Sequence, residues 1–150
     1  MKKFQFSLQK LLNYREQLLN IEMGTLNNMY ARLRALQDEL EAIENGLVAA
    51  NEGFKRRTAE GILAMQMVSH NAYIESLHDD ILTKNNQISL QQQAIDRQMD
   101  KVREAKIEIS TMEKLKERKI EEYQYLEMKE QELFIEEFVS NKSASLAGSG

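Results

Sequence analysis

The sequence predicts an all-α protein, two long helices forming an antiparallel coiled-coil hairpin, on three observations. Leucine recurs every seventh residue at Leu12, Leu19, Leu26, Leu33, Leu40 and Leu47, and Phe54 takes the next slot. A second ladder at the same spacing, Ile74, Ile81, Ile88, Ile95, Val102 and Ile109, follows later in the chain. Between the two, the pattern fails around Lys55-Arg56-Arg57-Thr58-Ala59-Glu60-Gly61, where the chain can reverse. A helix apolar only at heptad positions a and d buries a narrow stripe and needs a partner helix, which the second ladder supplies. Antiparallel pairing sets a against d, and both ladders fit if paired residue numbers sum to about 124. A register one heptad shorter keeps the same matching, so turn length decides between them.

Composition agrees with an elongated core. Of 150 residues 29% are charged, and Pro and Trp are absent. Helices of about 50 and about 70 residues would run roughly 75 and 105 Å, with no interior in which to enclose a small substrate. A net charge of −4 argues against general affinity for nucleic acid or an anionic membrane surface, and is compatible with a basic partner. The lack of cysteine removes disulfides, thiolate metal sites and cysteine catalysis, and fits a reducing cytoplasm. Phe4-Gln5-Phe6-Ser7-Leu8-Gln9-Lys10 interrupts any signal-peptide core, and no run of apolar residues is long enough to span a bilayer, so neither export nor direct membrane insertion is expected.

In chain order, Phe4, Phe6 and Leu8 alternate before the heptads, and Ser7 can cap the helix that Leu8 opens. Phe4 and Phe6 either staple that helix end or belong to a docking surface. Helix 1 is expected over about 7–55. Arg15 and Glu22 occupy d positions, where their stems can pack while the charges reach water. From Leu26 the d positions become apolar, with Met29, Leu36, Ile43 and Ala50. The tip is expected over about 56–68. Lys55, Arg56 and Arg57 read either as a phosphate site or as cations at a solvated helix end. Ile62, Leu63, Met65, Met67 and Val68 make this tip more apolar than a solvated turn requires. His70 falls at d opposite Phe54, and His78 is too far along the helix to share a metal with it.

Helix 2 is expected over about 69–139, with Ser69 as one candidate cap. Its a positions are β-branched, but its d positions include Lys84, Gln91 and Gln98 facing Leu40, Leu33 and Leu26. Either the middle of the coiled coil is soft, or a partner covers the Leu26 to Leu40 face. At the sum of 124, Met1 lies opposite Tyr123 and the stretch 124–139 has no partner in the hairpin. It carries Tyr125, Leu126, Met128, Leu133, Phe134, Ile135, Phe138 and Val139, and so docks on another protein or self-associates. The hairpin domain is thus 1–139, with 140–150 a small, polar tail expected to be disordered.

Three stretches carry a family resemblance. Phe4-Gln5-Phe6-Ser7-Leu8-Gln9-Lys10-Leu11-Leu12-Asn13-Tyr14-Arg15-Glu16 resembles the start of the flagellar export family FliJ. Gly61-Ile62 with Tyr73-Ile74-Glu75-Ser76-Leu77 is similar to that family's tip region, and Glu113 to Tyr123 resembles its C-terminal signature. The resemblance covers about residues 4 to 138. It implies a cytoplasmic antiparallel coiled coil like the central stalk of rotary ATPases, held at the inner face of the cell membrane through the export apparatus. It implies that the end carrying both termini enters the ring of the export ATPase FliI. It also implies contact near the tip with the linker of the export-gate protein FlhA, and binding of export chaperones. Positions matching the gate patch are Leu47, Phe54, Tyr73 and Leu77, while Ala50 and Lys84 stand where family members can carry an aromatic or histidine. The ATPase end would use Phe4, Phe6, Leu115, Tyr123, Leu126, Leu133, Phe134 and Phe138. The alternative is a cytoplasmic coiled-coil scaffold or chaperone of another secretion or assembly complex. An enzyme is disfavoured: there is no Gly-rich phosphate loop, and no cofactor or catalytic set is expected.

Overall fold

The computed structural model describes residues 2–148. Two helices account for nearly all of them, α1 over Gln9–Glu60 and α2 over Ala64–Gly148, and they pack against each other as an antiparallel coiled-coil hairpin. The chain divides into two compact units, one of Asn20–Arg103 around the turn and one of Met1–Leu19 with Glu104–Gly150 around the termini.

In the turn unit, burial follows the heptads residue by residue. On α1 every a and d position from Glu22 to Phe54 is partly or fully buried, with Leu36 only 2% exposed. On α2 the same holds from His70 to Val102, with Leu77, Ile95, Gln98 and Val102 buried. The register is fixed by contacts across the seam. Phe54 stacks on His70 with ring centroids 3.8 Å apart and planes within 3°, a pair whose numbers sum to the expected 124. Lys84 donates to the Glu39 carboxylate at 2.5 Å and Tyr30 reaches the Met99 sulfur at 3.5 Å, on either side of the same value.

The polar d positions are bonded. Gln91 Nε2 donates to the Met29 carbonyl at 3.0 Å, and Gln98 Nε2 donates to the Glu22 carbonyl at 3.0 Å and to the Glu22 carboxylate. Leu26, Leu33 and Leu40 are all partly buried beside them. The middle of the seam therefore closes on side-chain amides and an ammonium instead of standing open. Such bonds offset the desolvation of the groups that make them, so the seam tolerates polar residues that an unbonded core could not.

The turn is shorter than the tip expected over 56–68. α1 continues through Arg57 to Glu60, and three residues, Gly61 to Leu63, separate the helices. Loss of the heptad does not end a helix whose residues favour helix on their own, as Lys55, Arg56, Arg57, Ala59 and Glu60 do. What ends it is Gly61, at φ +92°, a left-handed conformation that costs side-chain-bearing residues. The second helix starts at Ala64, ahead of Ser69, with the Gln66 side chain accepting from the Leu63 N–H at 3.0 Å. That is the reach-back half of a capping box, Leu63 at N-cap and Gln66 at N3.

In the terminal unit α1 opens one residue after Leu8, with Gln9 N–H bonded to the Phe6 carbonyl at 3.0 Å, so main-chain bonds make the entry where Ser7 and Leu8 were expected to. Leu12 and Ile109 are buried, and Arg15 meets Glu108 at 2.8 Å on the solvent edge, leaving its stem on the seam. Beyond the expected end at 139, α2 runs on through Lys142, Ala144, Leu146 and Ala147 to Gly148, helix-favouring residues interspersed with Ser140, Asn141, Ser143 and Ser145. Ser149 and Gly150 of the expected disordered tail, and Met1 of the Met1 to Tyr123 pairing, lie outside the described residues.

Candidate functional site: two partner-facing surfaces

The terminal unit divides the residues expected at the ATPase end into two groups. Phe4, Phe6, Leu115 and Tyr123 are partly buried. Phe4 meets Tyr123 edge to face at 5.7 Å and 60°, and the Tyr123 hydroxyl donates to the Lys2 carbonyl at 2.5 Å. These contacts fasten the N-terminal segment to α2, so the rings act within the hairpin. Leu126, Leu133, Phe134 and Phe138 are exposed, as are Tyr125, Met128, Ile135 and Val139. From Met128 to Gly148 every described residue is exposed, because no residue of α1 stands opposite them.

That exposed stretch is apolar on more than one side. At 100° per residue, Met128, Phe134, Ile135, Phe138 and Val139 fall on one arc, while Leu126 and Leu133 lie among Glu132, Glu136 and Glu137 on the other. Phe134 is 68% exposed and Phe138 61%, and a shallow cleft beside them is lined by Tyr123, Glu127, Glu130, Gln131, Phe134 and Ile135. On the second arc Lys129 pairs with Glu132 at 3.3 Å and sits 5.7 Å from the Tyr125 ring. Aromatic side chains on a lone helix face are what a helix-in-groove contact uses as anchors.

Near the turn, the four residues expected to form the gate patch have unequal access. Leu77 is buried, and Leu47 and Phe54 are partly buried in the seam, as their a and d positions require. Only Tyr73 is exposed, at 53%. The accessible apolar area here belongs instead to Leu63, Met65, Met67 and Val68, which were noted in the sequence as an apolar excess but not placed in the gate patch. Their signal was composition without periodicity, which marks a surface but not its use.

One titrating group departs from its usual behaviour. The hydrogen bond from Lys84 holds the Glu39 carboxyl below its ordinary 4.5, aided by the Lys84 and Arg32 charges and opposed by desolvation. This is an ion pair at the seam edge, distant in character from a proton-transfer site. Among the described residues no three His, Asp or Glu side chains converge as metal ligands, and no helix is long and apolar enough to cross a membrane.

A family model described as Flagellar FliJ protein matches residues 4–145, which spans all three stretches that carry the resemblance. No curated protein and no solved structure matches the chain.

Proposed function

The chain belongs to the flagellar FliJ protein family, coiled-coil proteins of flagellum biogenesis and protein export that are not catalysts, and from that premise we propose that it is a stalk-like connector in the export apparatus. Its terminal unit docks in the ring of the export ATPase FliI, its turn unit contacts the export-gate protein FlhA, and it binds export chaperones. Such a connector works in the cytoplasm, peripheral at the inner face of the cell membrane.

The observation that supports this reading is the exposed face around Phe134 and Phe138 on α2. A helix bearing that much aromatic and aliphatic surface with no partner in its own chain is stable in water only at a cost, which burial in a partner's groove removes. Phe4, Phe6, Leu115 and Tyr123 shape the base from which the helix projects, while Phe134 and Phe138 on one side of it and Leu126 and Leu133 on another make the contact, as insertion into an enclosing ring requires. The test is co-purification of the Phe134→Ser, Phe138→Ser double variant with the ATPase, together with motility of cells carrying it. The expected result is loss of both with unchanged helicity. Retained binding and swimming would refute docking through this face.

A further inference from the structure

We infer that the hairpin turn carries a second docking surface, formed by Leu63, Met65 and Val68 beside Arg56 and Arg57, for a protein segment that presents apolar side chains flanked by carboxylates. This rests on the reading that the turn unit faces the export gate, and it moves the contact away from the seam residues Leu47, Phe54 and Leu77.

Three observations converge on it. First, Leu63, Met65 and Val68 are 71%, 82% and 69% exposed in consecutive turns around the reversal, so they have no function in hairpin packing. Capping needs only Gln66, and chain reversal needs only Gly61, so neither explains three large apolar side chains here. Second, the charge is unbalanced. From Gly53 to Ile74 the chain carries Lys55, Arg56 and Arg57 against one carboxylate, Glu60, within a protein of net charge −4. None of the three cations forms an ion pair among the described residues, a state they share with most of the chain's Lys and Arg, so it is their clustering that sets them apart. Arg57 is held only by its Nε donating to the Gly53 carbonyl at 3.4 Å, which leaves the outer face of its guanidinium available to a bidentate acceptor. Third, a groove lies beside it, lined by Arg57, Met65, Gln66, Ser69, His70 and Tyr73. Its rigid wall is the His70 ring, clamped against Phe54.

Together these supply what a short segment needs: an apolar footing, a guanidinium for its carboxylate, and a hydroxyl and a phenol at the rim. An anionic bilayer offers the same charge, but three cations on an acidic chain attract it weakly, and a flat lipid surface has no use for the groove. A second copy of this chain is disfavoured too, since its tip presents the same cations.

The test uses the full chain, with the cytoplasmic region of the export-gate protein and, separately, phosphatidylserine vesicles as probes, followed by fluorescence anisotropy and sedimentation. Charge reversal by Arg56→Glu with Arg57→Glu, and apolar removal by Met65→Ser with Val68→Ser, each raise Kd for the gate region at least tenfold. Binding by the unaltered chain weakens as NaCl rises, and circular dichroism stays as in the unaltered chain because all four side chains are exposed. If the unaltered chain binds the gate region but both double variants bind equally well, this surface is wrong and the broader reading stands. If the unaltered chain does not bind the gate region at all, that broader reading falls and takes this one with it. Vesicle binding that the charge reversal abolishes, without any effect on the gate region, assigns the tip to lipid and overturns the inference.

Discussion

Replacing Gln98 by alanine probes the polar middle of the seam most sharply. Gln98 is 6% exposed, and its amide donates to both the carbonyl and the carboxylate of Glu22. A bond to a carboxylate contributes about 1.5 to 3 kcal/mol and one between neutral groups about 0.5 to 1.5 kcal/mol. Glu22 is only partly buried and can recover water, so the lower ends apply, and the loss is about 2 kcal/mol. For a protein of this size that lowers Tm by about 4 to 8 °C. Gln98→Leu removes the same bonds but adds apolar burial against Leu26, so it should melt within about 1 kcal/mol of the unaltered chain. Thermal melts followed at 222 nm, with urea titrations as a check on the m-value, decide the matter. An alanine variant that melts with the unaltered chain would show that the Gln98 to Glu22 bonds add nothing, and the reasoning about a closed seam would be wrong.

Two further outcomes follow from individual residues. Because Lys84 lowers the Glu39 carboxyl, that pair stabilises the fold fully above the ordinary value of 4.5, and the contribution disappears as pH falls through the lowered one; the Tm gap between unaltered chain and Lys84→Met should therefore close on acidification from pH 7 to pH 3. Gly61→Ala places a Cβ in open space but at φ +92°, so it should cost about 1 to 2 kcal/mol from backbone strain alone, read as a lower urea midpoint at unchanged m-value.

The seam was legible because a seven-residue repeat translates directly into burial. Leu12, Leu36, Leu77, Ile95, Val102 and Ile109, the buried apolar residues, all lie at a or d. The stacking of Phe54 on His70 was legible for the same reason. The helix ends were harder to read. Heptads report where a partner helix lies, and α1 outlasts its heptads by several residues before Gly61 breaks it, just as α2 outlasts its own into the serine-rich tail. The bonds of Gln91 and Gln98 could not be read from sequence, since a glutamine at d can equally fold its amide out to solvent.

The surfaces were legible in part. That 124–139 would stand bare followed from the register summing to 124, and every residue of it except the partly buried Glu127 is exposed. The division of the terminal aromatics, with Tyr123 used inward and Phe134 outward, depends on where α1 begins and thus on the main-chain entry at Phe6 and Gln9. At the turn, the heptad letters of Leu47 and Leu77 already pointed inward, and the resemblance drew attention to them while Leu63 and Met65, which follow no period, stayed outside the patch.

Since the chain has no native cysteine, a single engineered pair tests the fold on which both surfaces rest. The register fixed by Phe54 and His70 sets Ile43 across from Ile81. The variant Ile43→Cys with Ile81→Cys should oxidise to a disulfide within one chain, while Ile43→Cys with Ile88→Cys, displaced by about 10 Å along the helix, should not. Disulfide-linked dimers from the first pair, or faster closure of the second, would contradict a chain that doubles back on itself in this register.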